Sequence, residues 1–261
     1  MPVLQLLQIN STGALVKAWQ YFLIGKQLYV GQADGKFGPA TRAATIAFQK
    51  AQALAPDGIV GNKTWGAALL QGLDLVQDRR GNRAGAAWPP PPRFRPLVSN
   101  AERATVFGSF RYKSDPRAGE EGRIRVLDNW VKENIVLVPI PQLKAIAGIG
   151  SIAFHRKAAA QLAGLWKAWA DAGLLHLVLT FDGSYAPRFV RGSRRVLSNH
   201  AFGSAFDINA AWNGLGQLPA LVGQRGSVRE LVPIAQEYGF YWGGHFGRRD
   251  GMHFEVARLS K

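Results

Sequence analysis

The residues best equipped for chemistry stand in two short stretches of the C-terminal half. The first reads Ser198-Asn199-His200-Ala201-Phe202-Gly203-Ser204-Ala205-Phe206-Asp207-Ile208-Asn209, with small residues and a glycine between a histidine and an aspartate. If Ala205 to Asn209 is a strand, Asp207 and Ala205 face one way while Phe206 and Ile208 face a core. The small residues at 203–205 let the chain fold back so that imidazole and carboxylate converge. The second stretch is Arg249-Asp250-Gly251-Met252-His253-Phe254-Glu255-Val256. Here His253 starts a strand, Phe254 and Val256 lie on its opposite face, and Asp250 sits in the preceding turn. Two histidines and one carboxylate suit zinc and leave a fourth position open for water. Zinc brings the pKa of such a water to about 7, and Asp250 could accept its proton. Taken alone, the His200–Asp207 pair is equally compatible with a metal-free, hydrogen-bonded couple. The second stretch tilts the reading toward a metal.

The chain has no cysteine, so a metal site must use His, Asp or Glu. His155 and His176 read as satisfied, partly buried histidines of structural use. His245, in Trp242-Gly243-Gly244-His245-Phe246, either lines a cleft or is structural. Asp182 and Glu255 are either carboxylates that hold an imidazole N–H or surface charges, with the second favoured for Asp182. Arg191, Arg194 and Arg195 form a basic cluster beside the first stretch, suited to carboxylate capture or to a solvated loop.

These stretches belong to a part of the chain that reads α+β. Asn129 to Val138 is helix-like and then apolar, and Ala158 to Ala172 is an amphipathic helix ended by Gly173. Leu174 to Phe181, Ala205 to Asn209 and His253 to Ala257 read as strands, and Val228 to Tyr238 as a helix closed by Gly239. Upstream, the pattern is helical. Val16, Trp19, Gln20 and Leu23 form one amphipathic set, and Thr41 to Leu54 another with Thr41 as N-cap. Lys63 to Gln71 is a third helix, capped by Asn62. Two turns echo each other: Asp34-Gly35-Lys36-Phe37-Gly38-Pro39-Ala40-Thr41 and Asp57-Gly58-Ile59-Val60-Gly61-Asn62-Lys63-Thr64. Asp-Gly makes a tight turn, the apolar residue anchors it, and the second glycine precedes the helix. Between the halves, the polar run Asp78 to Gly85 and the prolines Pro89 to Pro92 read as a linker with a stiff polyproline II spacer.

The echoed turns, with Trp19-Gln20, Phe48-Gln49 and Thr64-Trp65, resemble the peptidoglycan-binding domain 1 family over roughly Leu4 to Leu70. That resemblance implies a three-helix wall-binding module, with Trp65 and Arg42 as candidate glycan contacts. Ser198-x-His200-x-x-Gly203-x-Ala205-x-Asp207 with Asp250-x-x-His253 resembles the M15 family of zinc peptidases over roughly Phe94 to Val256. That family includes D-Ala-D-Ala carboxypeptidases, dipeptidases and wall endopeptidases. The resemblance implies one Zn2+ per chain held by His200, Asp207 and His253, with Asp250 as general base. It also implies an arginine that stabilises the transition state, for which Arg188, in Tyr185-Ala186-Pro187-Arg188, comes first and Arg191 second. Ser198 orients the site or stabilises the turn.

The expected architecture is a small all-α three-helix bundle over residues 1–72 and a Pro/Gly-rich linker over 73–96. An α+β zinc peptidase domain with a central antiparallel sheet follows over 97–261. The expected function is hydrolysis of a peptide bond in peptidoglycan stems or cross-bridges, in a phage or prophage endolysin. The bond is L-Ala–D-Glu or D-Ala–diaminopimelate. The alternatives are a D-Ala-D-Ala carboxypeptidase and a wall-binding protein without activity. The partner is bacterial peptidoglycan, and the formal net charge of +15 favours anionic envelope components as well. The same charge is the only feature favouring nucleic acid: no RNA motif, zinc finger or basic recognition helix stands out. The apolar stretch Asn134 to Phe154 is too interrupted to span a bilayer, and Met1 to Gln8 lacks the pattern of a signal peptide. A monomer is expected, held in the host cytoplasm before lysis and acting on the periplasmic wall.

Overall fold

The computed structural model of the chain describes residues 4–71, 73 and 88–260. The charged linker run Asp78 to Gly85 lies outside the described residues. The fold is mixed α+β, with a helical N-terminal region and small antiparallel sheets.

The N-terminal region packs α1 (Ala14–Gly25), α2 (Pro39–Ala51) and α3 (Asn62–Leu70) around one aromatic cluster. Trp19 and Phe22 sit one helical turn apart and meet Phe48 and Trp65, with ring centroids 5.3 to 5.5 Å apart. The echoed turns are fastened by the same device twice. Gln20 Oε1 accepts from Gly35 N at 2.8 Å, while its Nε2 reaches Asp34 Oδ1, Lys36 O and Thr41 Oγ1. Gln49 repeats these bonds with Gly58 N, Asp57 Oδ1, Ile59 O and Thr64 Oγ1. Thr41 is therefore not the N-cap. Helix α2 starts earlier, at Pro39, with Gly38 at the cap, because proline at the first helical position has φ already set and lacks an N–H that would go unused. Likewise Gly61, not Asn62, caps α3. Trp65 is a core residue, 2% exposed and bonded through Nε1 to Gln5 O, so it presents no face to glycan. Arg42 remains exposed.

The C-terminal part begins with α4 (Asn100–Phe107), whose Ser99 and Glu102 form a capping box. There follow the hairpin of β1 (Tyr112–Ser114) with β2 (Ile124–Val126), then α5 (Trp130–Asn134). The interrupted apolar stretch folds as β3 (Ile135–Pro139), α6 (Leu143–Ala147) and β4 (Ser151–His155), with β3 and β4 antiparallel. No helix among the described residues is long and apolar enough to cross a membrane. Next come α7 (Ala159–Asp171), β5 (Phe181–Gly183), β6 (Ala205–Ile208), α8 (Val232–Glu237), β7 (Phe240–Trp242) and β8 (His253–Val256). The last four strands form an antiparallel sheet in the order β5-β6-β8-β7. Phe206 and Phe254 are register partners, stack at 5.5 Å and pack under Trp169 of α7. Alternation therefore leaves Asp207, His253 and Glu255 together on the opposite face.

The strand expected over Leu174 to Phe181 is mostly absent. Leu175–Leu177 is a 3-10 turn, and the amides of Leu179 and Thr180 bond the Asn209 side chain instead of a ladder. The helix expected from Val228 splits into a 3-10 turn, Arg229–Leu231, and α8, with proline in the first turn of α8. The proline run is not a free spacer. Trp88 packs 5.0 Å from Trp242, Pro89 O accepts from His245 Nε2, and Pro90 O accepts from Gln236 Nε2. An apolar indole beside donor-free prolines gains more from burial and paired carbonyls than from solvent.

Candidate active site

The site grows from β6 and β8. Asp207 and His253 are register partners across the sheet, and His200 reaches them from a 3-10 turn, Asn199–Phe202, that Ser198 caps by accepting from His200 N. Gly203 ends that turn at φ 61°, and a Cβ there would lie 2.5 Å from Ile135 Cδ1 and 3.1 Å from His155 N. Only glycine makes the reversal between His200 and Asp207 at this depth.

His200 Nε2, His253 Nδ1 and Asp207 Oδ1 lie 3.0 to 3.1 Å from one another. The outer ring nitrogens are both committed. His200 Nδ1 donates to Ser184 O at 2.6 Å, and His253 Nε2 donates to Glu255 Oε2 at 3.0 Å. With both rings neutral, the inner nitrogens offer lone pairs that face a carboxylate oxygen. Three such atoms repel unless a proton or a metal ion sits among them. Separations near 3 Å also approach the edge, about 3.3 Å, of a tetrahedron with zinc bonds of about 2.0–2.1 Å. The donor set fits a zinc ion.

The electrostatics agree. Burial opposes a charge on His253, yet its hydrogen bonds to Asp207 and Glu255 outweigh this and push its pKa up to about 10. Burial would raise Asp207, but His200 and His253 hold it well below the usual carboxylate range. Burial lowers His200 and keeps it neutral. Without an ion the cluster holds a proton on His253, which a bound cation would displace.

Asp250, Arg188 and Arg191 line one cleft, of about 290 Å³, together with the His/Asp/His group. Burial first, then the nearby Asp207 charge, push the Asp250 carboxyl up to about 6, against the pull of His253, Arg248 and Arg191. Its Oδ1 has no hydrogen-bond partner among the described residues. Arg188 is half-buried on an extended segment paired with Arg123, and it lies within electrostatic reach of Asp207 and Asp250. Arg191 is exposed.

Other histidines are accounted for without the site. His155 is buried, donates to Phe107 O and accepts from Lys157 N. His176 Nδ1 bonds Gly173 O. His245 is boxed by Trp88, Tyr241 and Trp242, away from the cleft. Asp182 accepts from Thr180 Oγ1 and Ala210 N at the surface. Glu255, by contrast, is buried on the His253 imidazole and accepts from Asn199, whose Oδ1 in turn accepts from Arg103 Nε at 2.9 Å. Arg103 carries no sequence signal: it lies 96 residues from Asn199.

Comparisons with known proteins follow this division. Residues 12–68 match a peptidoglycan binding domain model, and residues 191–256 match a peptidase M15 model described as D-alanyl-D-alanine carboxypeptidase. An uncharacterized protein in the bpoA1 3′ region of Kitasatospora aureofaciens is 46% identical over 61 residues, which are 23% of this chain. The matched region spans about half, 52%, of that relative's length. The crystal structure of a Burkholderia AP3 phage endolysin aligns over 70% of this chain and 69% of its own, at 22% identity and a TM-score of 0.25. The chain is modular, joining a segment that matches the peptidoglycan binding domain model to one that matches the M15 peptidase model.

Proposed function

We propose that the chain is a zinc-dependent peptidase of bacterial peptidoglycan, with one Zn2+ held by His200, Asp207 and His253. The observation that carries this reading is the meeting of three potential ligand atoms at 3.0 to 3.1 Å, with both outer ring nitrogens already tied. When bound, zinc supplies Lewis-acid activation of water and of an amide carbonyl. Asp250, near pKa 6, takes a proton from water and hands it to the departing nitrogen. Arg188, with Arg191 nearer solvent, places positive charge where an oxyanion develops in the cleft. Glu255 and Ser184 O hold the imidazoles in the ligating tautomer.

The binding-domain segment supports a polymeric substrate. The bond proposed is L-Ala–D-Glu or the D-Ala–diaminopimelate cross-bridge, in the lytic setting of a phage or prophage. There a monomer would pass from the host cytoplasm to the wall. The net charge of +15 supports additional adhesion to anionic envelope components. A second reading, removal of terminal D-Ala, is favoured by the description of the matching peptidase model.

Digestion of purified sacculi, with chelator and then zinc restoration, tests the proposal when released peptides are weighed by mass spectrometry. Zinc-restored release of new amino termini supports an endopeptidase, and release of free D-Ala alone supports the second reading. Absence of cleavage by zinc-loaded, folded protein on several wall chemistries leaves a wall-binding protein.

A further inference from the structure

The N-terminal helices do more than follow the peptidase segment in the chain. Ile24 and Ala33 are buried together with Leu215 and Met252, and Met252 is the residue between the Asp250 turn and His253. Helix α1 meets the other side backbone to backbone: a Cβ on Gly25 would lie 1.9 Å from Leu215 O. The Arg248 guanidinium covers the Tyr21 ring at 4.2 Å and donates to Arg191 O at 3.1 Å. The binding segment is thus packed on the loops that carry the site.

That packing frames a second, larger cleft of about 640 Å³ whose lining includes His200 and Asp207. One wall is the turn after α1, including Tyr29, Val30 and Gln32; the other includes Arg123, Arg191 and Arg194. The turn is ordered. The Leu28 and Tyr29 amides bond Leu23 O, and Tyr29 Oη donates to Gln32 O. Val30 is 57% exposed. Arg123 is satisfied by Asp115 and Glu120, whereas Arg191 and Arg194 make no ion pair among the described residues. The cleft is lined by Tyr29, Val30 and Gln32 from one segment, by unpaired Arg191 and Arg194 beside Glu120, Glu121 and Asp182 from the other, and by His200 and Asp207 of the metal-type site.

We propose that residues 27–32 of the N-terminal segment form one wall of the substrate cleft, so that an acidic peptide is gripped between them and the Arg191–Arg194 loop. This rests on the peptidase reading and deepens it: the binding segment sets affinity for the peptide itself, beyond anchoring the polymer. A tethered anchor would affect only insoluble wall. A wall of the cleft affects short soluble peptide as well.

The test is calorimetric titration of the zinc-loaded full chain with soluble L-Ala-γ-D-Glu-diaminopimelate-D-Ala, with Asp250→Asn in every arm to prevent turnover. Val30→Asp and Gln32→Glu place a negative charge on the wall without touching the core, and each is expected to weaken binding at least tenfold. Gly25→Val, which wedges the contact with Leu215, is expected to do the same. Lys63→Gln, an equal charge change elsewhere on the segment, is expected to leave affinity within twofold. Wild-type affinity in Val30→Asp and Gln32→Glu overturns the inference, as does failure of the parent to bind the tetrapeptide. Zinc-dependent release of peptides from sacculi by the unsubstituted chain, measured alongside, judges the peptidase reading separately.

Discussion

His253 Nε2 donates to Glu255 Oε2 at 3.0 Å, although the two residues sit on one strand with a single residue between them. Strand alternation puts them on the same face. Ala205 lies opposite Glu255 and leaves room for its side chain, while Asp207 lies opposite His253. The bond commits one ring nitrogen and aims the other at Asp207. Asn199 and, behind it, Arg103 hold the carboxylate in turn.

Glu255→Gln keeps the shape and removes the charge that makes His253 a strong ligand. Zinc affinity, measured by competition with a chelator, is expected to fall about 10- to 100-fold with little change in melting temperature. Unchanged affinity would show that Glu255 only fills space.

Zinc should stabilise the folded chain through the three-residue site. At a concentration about 100 times the dissociation constant, binding adds about 2.7 kcal/mol. A clear upward shift in melting temperature is expected for the wild type and none for Asp207→Ala. A shift that survives Asp207→Ala would place the ion elsewhere.

Asp250 must be ionised to accept a proton, so peptide cleavage should fall as pH drops below its pKa of about 6. A bound dication favours the charged carboxylate and moves that limb lower, never higher. Asp250→Asn is expected to lose about 10²- to 10⁴-fold in kcat while retaining zinc. A pH–rate profile and a metal titration on the same samples check both halves.

His155 makes the fold sensitive to acid independently of the site. Burial lowers its pKa from 6.5 to about 4. Between those values the unfolded chain binds more protons, so stability is full above about 6.5 and falls as pH decreases toward 4, by up to a few kcal/mol. Urea midpoints across that window should decline more steeply for the wild type than for His155→Gln. Parallel slopes would remove His155 from the account.

The twin glutamines offer a test of the N-terminal segment alone. Gln20→Leu strands the Gly35 amide and removes the bonds to Asp34, Lys36 and Thr41. A loss of about 2 kcal/mol or more is expected for that segment, and Gln49→Leu should cost a similar amount because its bonds are the same in kind.

Local pattern was enough for much of this. The alternation around Asp207 and around His253 depends only on the two-residue period of a strand, and small residues beside His200 mark a reversal. The echoed Asp-Gly turns announce themselves because turn chemistry is local. Helix starts were less legible, since Thr41 looks like a cap until Gln20, 21 residues away, is seen to use its hydroxyl. Leu174 to Phe181 has strand composition, but the Asn209 side chain took two of its amides.

Residue order alone sets the chemistry available: two histidines and a carboxylate in strand-forming stretches, a nearby aspartate, and no thiol. Which atoms face one another follows from long-range packing. Ring tautomers depend on Ser184 O and Glu255, the hold on Glu255 depends on Asn199 and Arg103, and the second cleft depends on α1 packing beside Met252. These are contacts between residues far apart in the chain, and their strength comes from burial and exclusion of water, which no local spacing encodes.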